Sequence, residues 1–248
     1  PLFAKLRVEK TFGDHAGKIA YKIMDKYYQW YFHKTDLLLV PNKAMIKPFE
    51  KRFRTKVNVL SRGVDNTKFN PRKRSRFEAS KLRALFVGRI EPEKNLRILI
   101  DIFNKRPNIE LTLVGSGSYF NTLKKSMPIA RFTGKLKGEK LFTEYANADF
   151  FVMPSKSDPF GNVVLEAMAS GLPVIVTDVG GPKEIVTDGV DGFIAKDDSE
   201  FEKYIDRLIN DKNLLKAMGK NALATSRKYE WSNITEQLIN YYQVLIND

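Results

Sequence analysis

Two carboxylates, Asp158 and Glu166, stand eight positions apart in a segment that runs from Pro154 to Pro173. Its apolar spacing predicts a strand ending at Pro154, a loop carrying Asp158, and a helix over 162–170 closed by Gly171. Val163, Val164, Ala167 and Met168 form the helix's apolar stripe, while Asn162 and Glu166, four apart, share the opposite face above the loop. The helix opens near Gly161-Asn162, where first-turn N–H groups have no intrahelical acceptor and favour anions. A second loop, Gly88-Arg89-Ile90-Glu91-Pro92-Glu93-Lys94, sets Arg89 and Lys94 between a predicted strand and the next helix. Two cations beside a helix N-terminus suit a phosphate or diphosphate. Carboxylates that accept from ligand hydroxyls, next to amides and cations that take phosphate, together suit a nucleotide sugar. Each feature has a plainer reading: Asp158 as a loop cap, Glu166 as a solvated helix position, Arg89 and Lys94 as a surface pair.

Other chemistries are excluded or weak. The chain has no cysteine, so thiolate nucleophiles, thiolate metal sites and disulfides are ruled out. His15 and His33 are its two histidines, too few for a multi-histidine metal centre. Gly115-Ser116-Gly117 reads as a simple tight turn. Gly134-Lys135-Leu136-Lys137-Gly138 is a further loop after a predicted strand at 131–133.

The elements that hold these loops alternate regularly. Strands are expected at 84–87, 111–114, 150–154, 174–177 and 192–195. Helices are expected at 95–104, 119–126, 140–146, 162–170 and 183–187, then at 199–228 and 232–246 with Ser232 as an N-cap. That alternation predicts a parallel α/β sheet, which binds ligands at the carboxyl ends of its strands. Upstream, residues 16–33 form an amphipathic helix through Ile19, Ile23, Tyr27 and Tyr31. A short strand over 37–40, a helix over 42–53 and a strand over 57–60 follow. Residues 62–80 are turn-rich and read as a linker. Their basic run from Arg72 to Arg76 reads as a solvated loop.

The chain has 248 residues, room for one large domain or for one complete domain and part of another. Hydrophobic residues at 43% and charged residues at 29% exclude wholesale disorder. No apolar run approaches the roughly 18 residues needed to span a bilayer. Net charge is +13 and strongly asymmetric. Residues 1–80 hold 19 Lys/Arg against 7 Asp/Glu, or +12, and residues 81–248 hold 23 against 22, or +1. Such asymmetry fits either a basic surface facing an anionic partner or a solvated lysine-rich face. The first ten residues are charged and lack the apolar core of a signal peptide. The leading proline fits either removal of an initiator methionine or a fragment of a longer protein.

Taken in order, these motifs resemble the retaining family-4 glycosyltransferases of the GT-B fold. Asp158 and Glu166, with F-G-N-V-V-L-E-A-M-A-S-G-L-P-V from Phe160 to Val174, are similar to that family's E-x7-E donor signature. Val87-Gly88-Arg89 with Glu93-Lys94 is similar to its diphosphate loop. Phe132-Thr133-Gly134, Ala148-Asp149, Pro154-Ser155 and Gly180-Gly181-Pro182-Lys183-Glu184 also fit, and Arg62-Gly63-Val64-Asp65 with Phe69-Asn70-Pro71 resembles its interdomain linker. The resemblance implies that Arg89 and Lys94 bind the diphosphate and stabilise its charge as it leaves. It implies that Asp158 holds donor-sugar hydroxyls, that Glu166 binds the ribose, and that Leu136 and Lys137 frame the base. The backbone of Gly88, Pro159, Phe160, Gly161 and Asn162 would line sugar and phosphates. The first acid is Asp rather than the family's usual Glu, which leaves the donor sugar open.

The implied architecture is a Rossmann-like parallel sheet with helices on both faces over 81–228, after an incomplete piece of a first Rossmann-like domain over 1–61. A linker at 62–80 joins them, and a helix over 229–248 packs back on the first domain. The 61 residues before the linker are short for a domain, the family's glycine-rich acceptor loop is absent, and neither histidine matches its histidine-containing segment. The chain therefore reads as the C-terminal part of a glycosyltransferase. The expected activity is retaining transfer of a hexose from a nucleotide diphosphate sugar to a hydroxyl acceptor, with no metal or other cofactor. A non-catalytic nucleotide-sugar-binding module is the alternative. Expected partners are the nucleotide sugar, a glycan or lipid acceptor and an anionic membrane surface, with no nucleic acid. The expected location is cytoplasmic, peripheral on the inner face of the membrane. The aromatic run from Tyr27 to Phe32 fits either interfacial aromatics or a buried helix face.

Overall fold

The computed structural model describes residues 13–75 and 81–247. Pro1-Leu2-Phe3 and positions 76–80 of the expected linker lie outside the described residues. Chain contacts divide the molecule into two units, residues 61–239 and residues 1–60 with 240–248.

The larger unit is built on β3 (Leu82–Val87), α3 (Arg97–Asn104), β4 (Ile109–Val114), α4 (Phe120–Ser126), β5 (Arg131–Gly134), α5 (Glu139–Asn147), β6 (Phe150–Met153), α6 (Asn162–Ala169), β7 (Val174–Thr177), β8 (Gly192–Ala195), α7 (Asp198–Asn210) and α8 (Lys212–Ser226). Its six strands are all parallel, in the order β5-β4-β3-β6-β7-β8. The short β-branched and aromatic runs form buried strands because successive side chains enter opposite layers. Phe86, Phe150, Val152 and Ile175 pack with α3 and α7 in one core. Leu85, Val87, Phe151, Met153 and Val176 pack with α6 in the other. Helices therefore cover both faces, as the sequence pattern predicts. The strand order reverses between β3 and β6, which leaves a crevice beyond their carboxyl ends, where such sheets bind ligands.

Three local expectations need correction. The helix expected at 183–187 is one 3₁₀ turn, Pro182–Glu184. The long helix expected at 199–228 is two, because Asp211 leaves helical geometry and its carboxylate accepts from the N–H groups of Asn213 and Leu214. The last helix, α9 (Trp231–Asn247), already includes Ser232, which is therefore not its cap. Residues 62–75 also pack against the larger unit. Val64 N–H donates to Tyr229 O at 2.8 Å, and Phe69 is buried with its ring 4.9 Å from Phe142 and 5.3 Å from Tyr145. Two apolar side chains draw this stretch onto the core.

The smaller unit holds α1 (Asp14–His33), β1 (Leu38–Val40), α2 (Ile46–Phe53) and β2 (Val57–Val59). The two strands pair in parallel, Leu38 opposite Val57. The Phe32 and Phe53 rings meet at 4.7 Å, and Tyr241 Oη donates to Val59 O at 2.9 Å. The stripe expected on α1 is present but not covered by the described residues: Ile19, Ile23, Tyr27, Trp30 and Tyr31 are all exposed. Within the aromatic run Tyr27, Trp30 and Tyr31 are exposed and Tyr28 and Phe32 are half-buried.

Candidate functional site

The loops after β3 and β6 meet at the reversal point. Lys94 ends a 3₁₀ turn (Pro92–Lys94) and is buried, only 8% exposed. A buried ammonium needs a partner, and Lys94 Nζ donates to Asp158 Oδ2 at 3.1 Å across 64 residues of sequence. The other oxygen, Asp158 Oδ1, accepts from Phe160 N–H at 3.2 Å. Asp158 is thus both a loop cap and half of an ion pair. Arg89 is not buried beside Lys94: its side chain is 69% exposed and reaches Glu93 at 3.3 Å. It is an exposed cation on this loop, whereas Lys94 is held by Asp158.

Glu166 lies on α6, whose first turn follows Gly161. Fully buried Tyr145 donates its hydroxyl to Glu166 Oε2 at 2.7 Å. Burial pushes the Glu166 carboxyl above the usual glutamate range, and the Tyr145 hydrogen bond opposes this. Glu166 is therefore not a solvated helix position. Burial and the neighbouring Glu166 charge push the Tyr145 phenol well above its ordinary value. Phe160 anchors its loop in the core, while Pro159 and Asn162 are exposed. Leu136 lines a hollow of about 360 Å³ with Arg131, Thr133, Glu139 and Lys140. Lys137 is exposed and makes no hydrogen bond or ion pair to the other site residues.

The sequence reading missed what holds these loops in place. Gly88 N–H donates to Val114 O, and Ile90 N–H to Ser116 O, both at 3.0 Å. A Cβ on Gly115 would lie 1.8 Å from Gly88 O, so Gly115-Ser116-Gly117 is a platform for the Arg89 loop rather than a simple turn. Glu91 accepts from Ser118 Oγ and from Ser118 N–H at 3.0 Å, which holds its carboxyl below the usual range. On the other side, Gly181 N–H donates to Asp158 O at 2.9 Å, and a Cβ on Gly181 would lie 2.1 Å from Pro159 O. Small residues in both segments were the available signal, but their partners are distant in sequence. Tyr145 carried no such signal. Among the described residues no group of three His, Cys, Asp or Glu side chains could hold a metal ion, and no helix is long and apolar enough to cross a membrane.

Six parallel strands whose order reverses between β3 and β6, with the Lys94–Asp158 ion pair joining the loops beyond them, define a doubly wound α/β unit. Residues 67–225 match the family described as Glycosyl transferases group 1. The chain is 37% identical to the sulfoquinovosyl transferase SQD2 of Arabidopsis thaliana, over 83% of this chain and 44% of that protein. It is 34% identical to a GDP-mannose-dependent alpha-mannosyltransferase of Corynebacterium glutamicum, over 75% of this chain and 47% of that one. The chain belongs to the group 1 glycosyl transferases. It spans about half the length of these curated relatives. Its fold is similar to that of sucrose-phosphate synthase from Thermosynechococcus elongatus, with TM-score 0.79 and 24% identity over 91% of this chain and 62% of that one. It is also similar to HepE from Anabaena, solved with UDP, with TM-score 0.76 and 23% identity over 85% of this chain and 64% of that one.

Proposed function

We propose that these loops form the nucleotide-sugar site of a retaining glycosyltransferase that moves a hexose to an acceptor hydroxyl. The observation that carries this reading is the Lys94–Asp158 pair at 3.1 Å, with exposed Arg89 on the same loop as Lys94 and Glu166 on the helix that follows Asp158. In the reaction, the bond from the anomeric carbon to the diphosphate oxygen breaks and its electron pair leaves on the diphosphate. The acceptor oxygen bonds to the same carbon on the same face, and its proton passes to the departing phosphate oxygen. Negative charge grows on the diphosphate as the bond breaks, so fixed donors aimed there lower the barrier. Lys94 supplies one pre-organised cation, Arg89 closes from the other side, and the first-turn amides of α6 add their dipole. Because these groups neutralise the leaving diphosphate, the proposed reaction uses no metal.

Glu166 takes the ribose hydroxyls, and Asp158, already held by Lys94, accepts from hydroxyls of the sugar. The backbone of Gly88, Pro159, Phe160, Gly161 and Asn162 lines phosphates and sugar, and Leu136 with Lys137 frames the base. The similarity to a sulfoquinovosyl transferase and to GDP-mannose-dependent mannosyltransferases supports a nucleotide-sugar donor. The +12 of residues 1–80 supports a lipid or lipid-linked acceptor at an anionic membrane. Nuclear magnetic resonance of the product's anomeric centre tests the stereochemistry. An α-linked donor should give an α-linked product, and a β-linked product would overturn the retaining assignment.

A further inference from the structure

Tyr145, on α5, is fully buried, and a buried phenol must find a hydrogen-bond partner. Two acceptors on α6 are within reach: Val163 O at 3.5 Å and Glu166 Oε2 at 2.7 Å. A tyrosine that served packing alone would be satisfied by a backbone carbonyl. Here the short bond goes instead to a carboxyl group whose burial is unfavourable. The ring that carries the hydroxyl is held independently of that bond. It meets Phe69 edge-on at 5.3 Å and 87°, and stacks on Phe151 at 6.1 Å and 27°. Phe69 in turn meets Phe142 at 4.9 Å. A glutamate has more rotatable bonds than a tyrosine, so the packed ring is the fixed point and the carboxylate takes its position from it.

The bond also separates the roles of the two carboxylate oxygens. Oε2 is tied to Tyr145. Oε1 has no hydrogen bond or ion pair among the described residues, yet it is not sealed from solvent. Glu166 therefore keeps one oxygen restrained and the other free to accept from a ligand hydroxyl. Burial and the Glu166 charge push the Tyr145 phenol well above its ordinary value, so it remains a donor at neutral pH.

We propose that Tyr145 is a positioning residue of the donor site, whose hydroxyl fixes Glu166 Oε2 so that Oε1 meets the ribose hydroxyls of the nucleotide. This rests on the reading of Glu166 as the ribose contact and adds the residue that orients it. Being fully buried, Tyr145 touches no ligand itself. Its effect belongs to the ribose hydroxyls and not to the phosphates.

Calorimetric titration of the full 248-residue chain with UDP and GDP, and with the 2′,3′-dideoxy form of whichever binds, tests this. The ratio of the two affinities reads the ribose hydroxyls. In the parent it should be about tenfold or more, the worth of a hydrogen bond to a charged group. Tyr145→Phe keeps the ring and its packing, and should lower the ratio about fivefold while affinity for inorganic pyrophosphate stays unchanged. Glu166→Ala should remove the discrimination, and adding Tyr145→Phe to it should change the ratio no further, because the hydroxyl acts through the carboxylate. Phe69→Leu keeps the hydroxyl but loosens the ring, and serves if Tyr145→Phe does not fold; its ratio should fall too, again with pyrophosphate binding unchanged. A parental ratio in Tyr145→Phe, or in Phe69→Leu where the first variant does not fold, would overturn the proposal. So would equal losses for both nucleotides and pyrophosphate, which would make Tyr145 a packing residue only. In either case a ratio lost in Glu166→Ala would leave Glu166 standing as the ribose contact. A parental ratio in Glu166→Ala, or no binding of UDP or GDP, would remove the ribose reading and this proposal with it.

Discussion

Arg89 and Lys94 carry the same charge in different surroundings, and this makes their roles separable. Arg89 is largely exposed, so Arg89→Ala should change stability by no more than about 0.5 kcal/mol. It should weaken nucleoside diphosphate binding about 10- to 150-fold, the worth of one charge-assisted contact. Lys94→Ala strips the partner from Asp158 and should cost about 1–3 kcal/mol of stability as well as affinity. Chemical denaturation alongside nucleotide titration separates the two effects. Equal stability losses would contradict the assigned environments.

Glu166 gives a pH-dependent signature. Burial raises its native pKa above that of the unfolded chain, so the native state holds a proton that the unfolded state releases first. Stability therefore falls as pH rises from the ordinary glutamate range through the raised native value, and the full penalty persists above it. Glu166→Gln keeps an acceptor for Tyr145 Oη and removes the penalty. Its melting temperature should exceed the parent's at pH 7 and converge with it in acid, while nucleoside affinity falls. A gain of equal size at both pH values would mean that the carboxyl is not desolvated.

Between elements, fit rather than charge sets the site. Gly181→Ala would place a Cβ 2.1 Å from Pro159 O and 2.5 Å from Phe160 Cα, so the Asp158 loop must shift. This overpacking should cost about 1–3 kcal/mol and reduce donor affinity without any change in charge. Parental affinity in this variant would show that the loop's position does not matter. Asp211→Ala should remove the cap that starts α8, at a cost of about 1 kcal/mol, or a melting temperature lower by about 2–4 °C. The element pattern from residue 82 onward was legible because strands buried on both faces read as unbroken apolar runs. The break at Asp211 was not, because a polar pair, Asn210-Asp211, can continue a helix face or cap a new helix. The places of Asp158 on a loop and Glu166 on the helix after it were legible from spacing. The pairing of Asp158 with Lys94, of Glu166 with Tyr145, and of Gly115 with Gly88 was not, since each depends on a contact between loops or helices far apart in sequence.

Across the whole molecule, the charge asymmetry and the sheet tell one story from two directions. The near-neutral two thirds, +1 over residues 81–248, folds into a doubly wound unit whose reversal point joins buried Lys94 to Asp158, with exposed Arg89 on the same loop as Lys94. The basic third was legible as charge, but the stripe on α1 was not legible as exposed, because an apolar helical face looks the same whether it will be covered or not. The proposed donor site at the reversal point takes a nucleoside diphosphate through separate phosphate and ribose contacts. Isothermal titration calorimetry in a chelating buffer tests it most directly, with UDP, GDP and inorganic pyrophosphate titrated into the parent and into Glu166→Ala. One saturable site per chain is expected for at least one nucleoside diphosphate, with affinity weakened in Glu166→Ala while pyrophosphate binding is unchanged. Absence of saturable binding by either nucleotide, or equal losses for nucleotide and pyrophosphate, would contradict it.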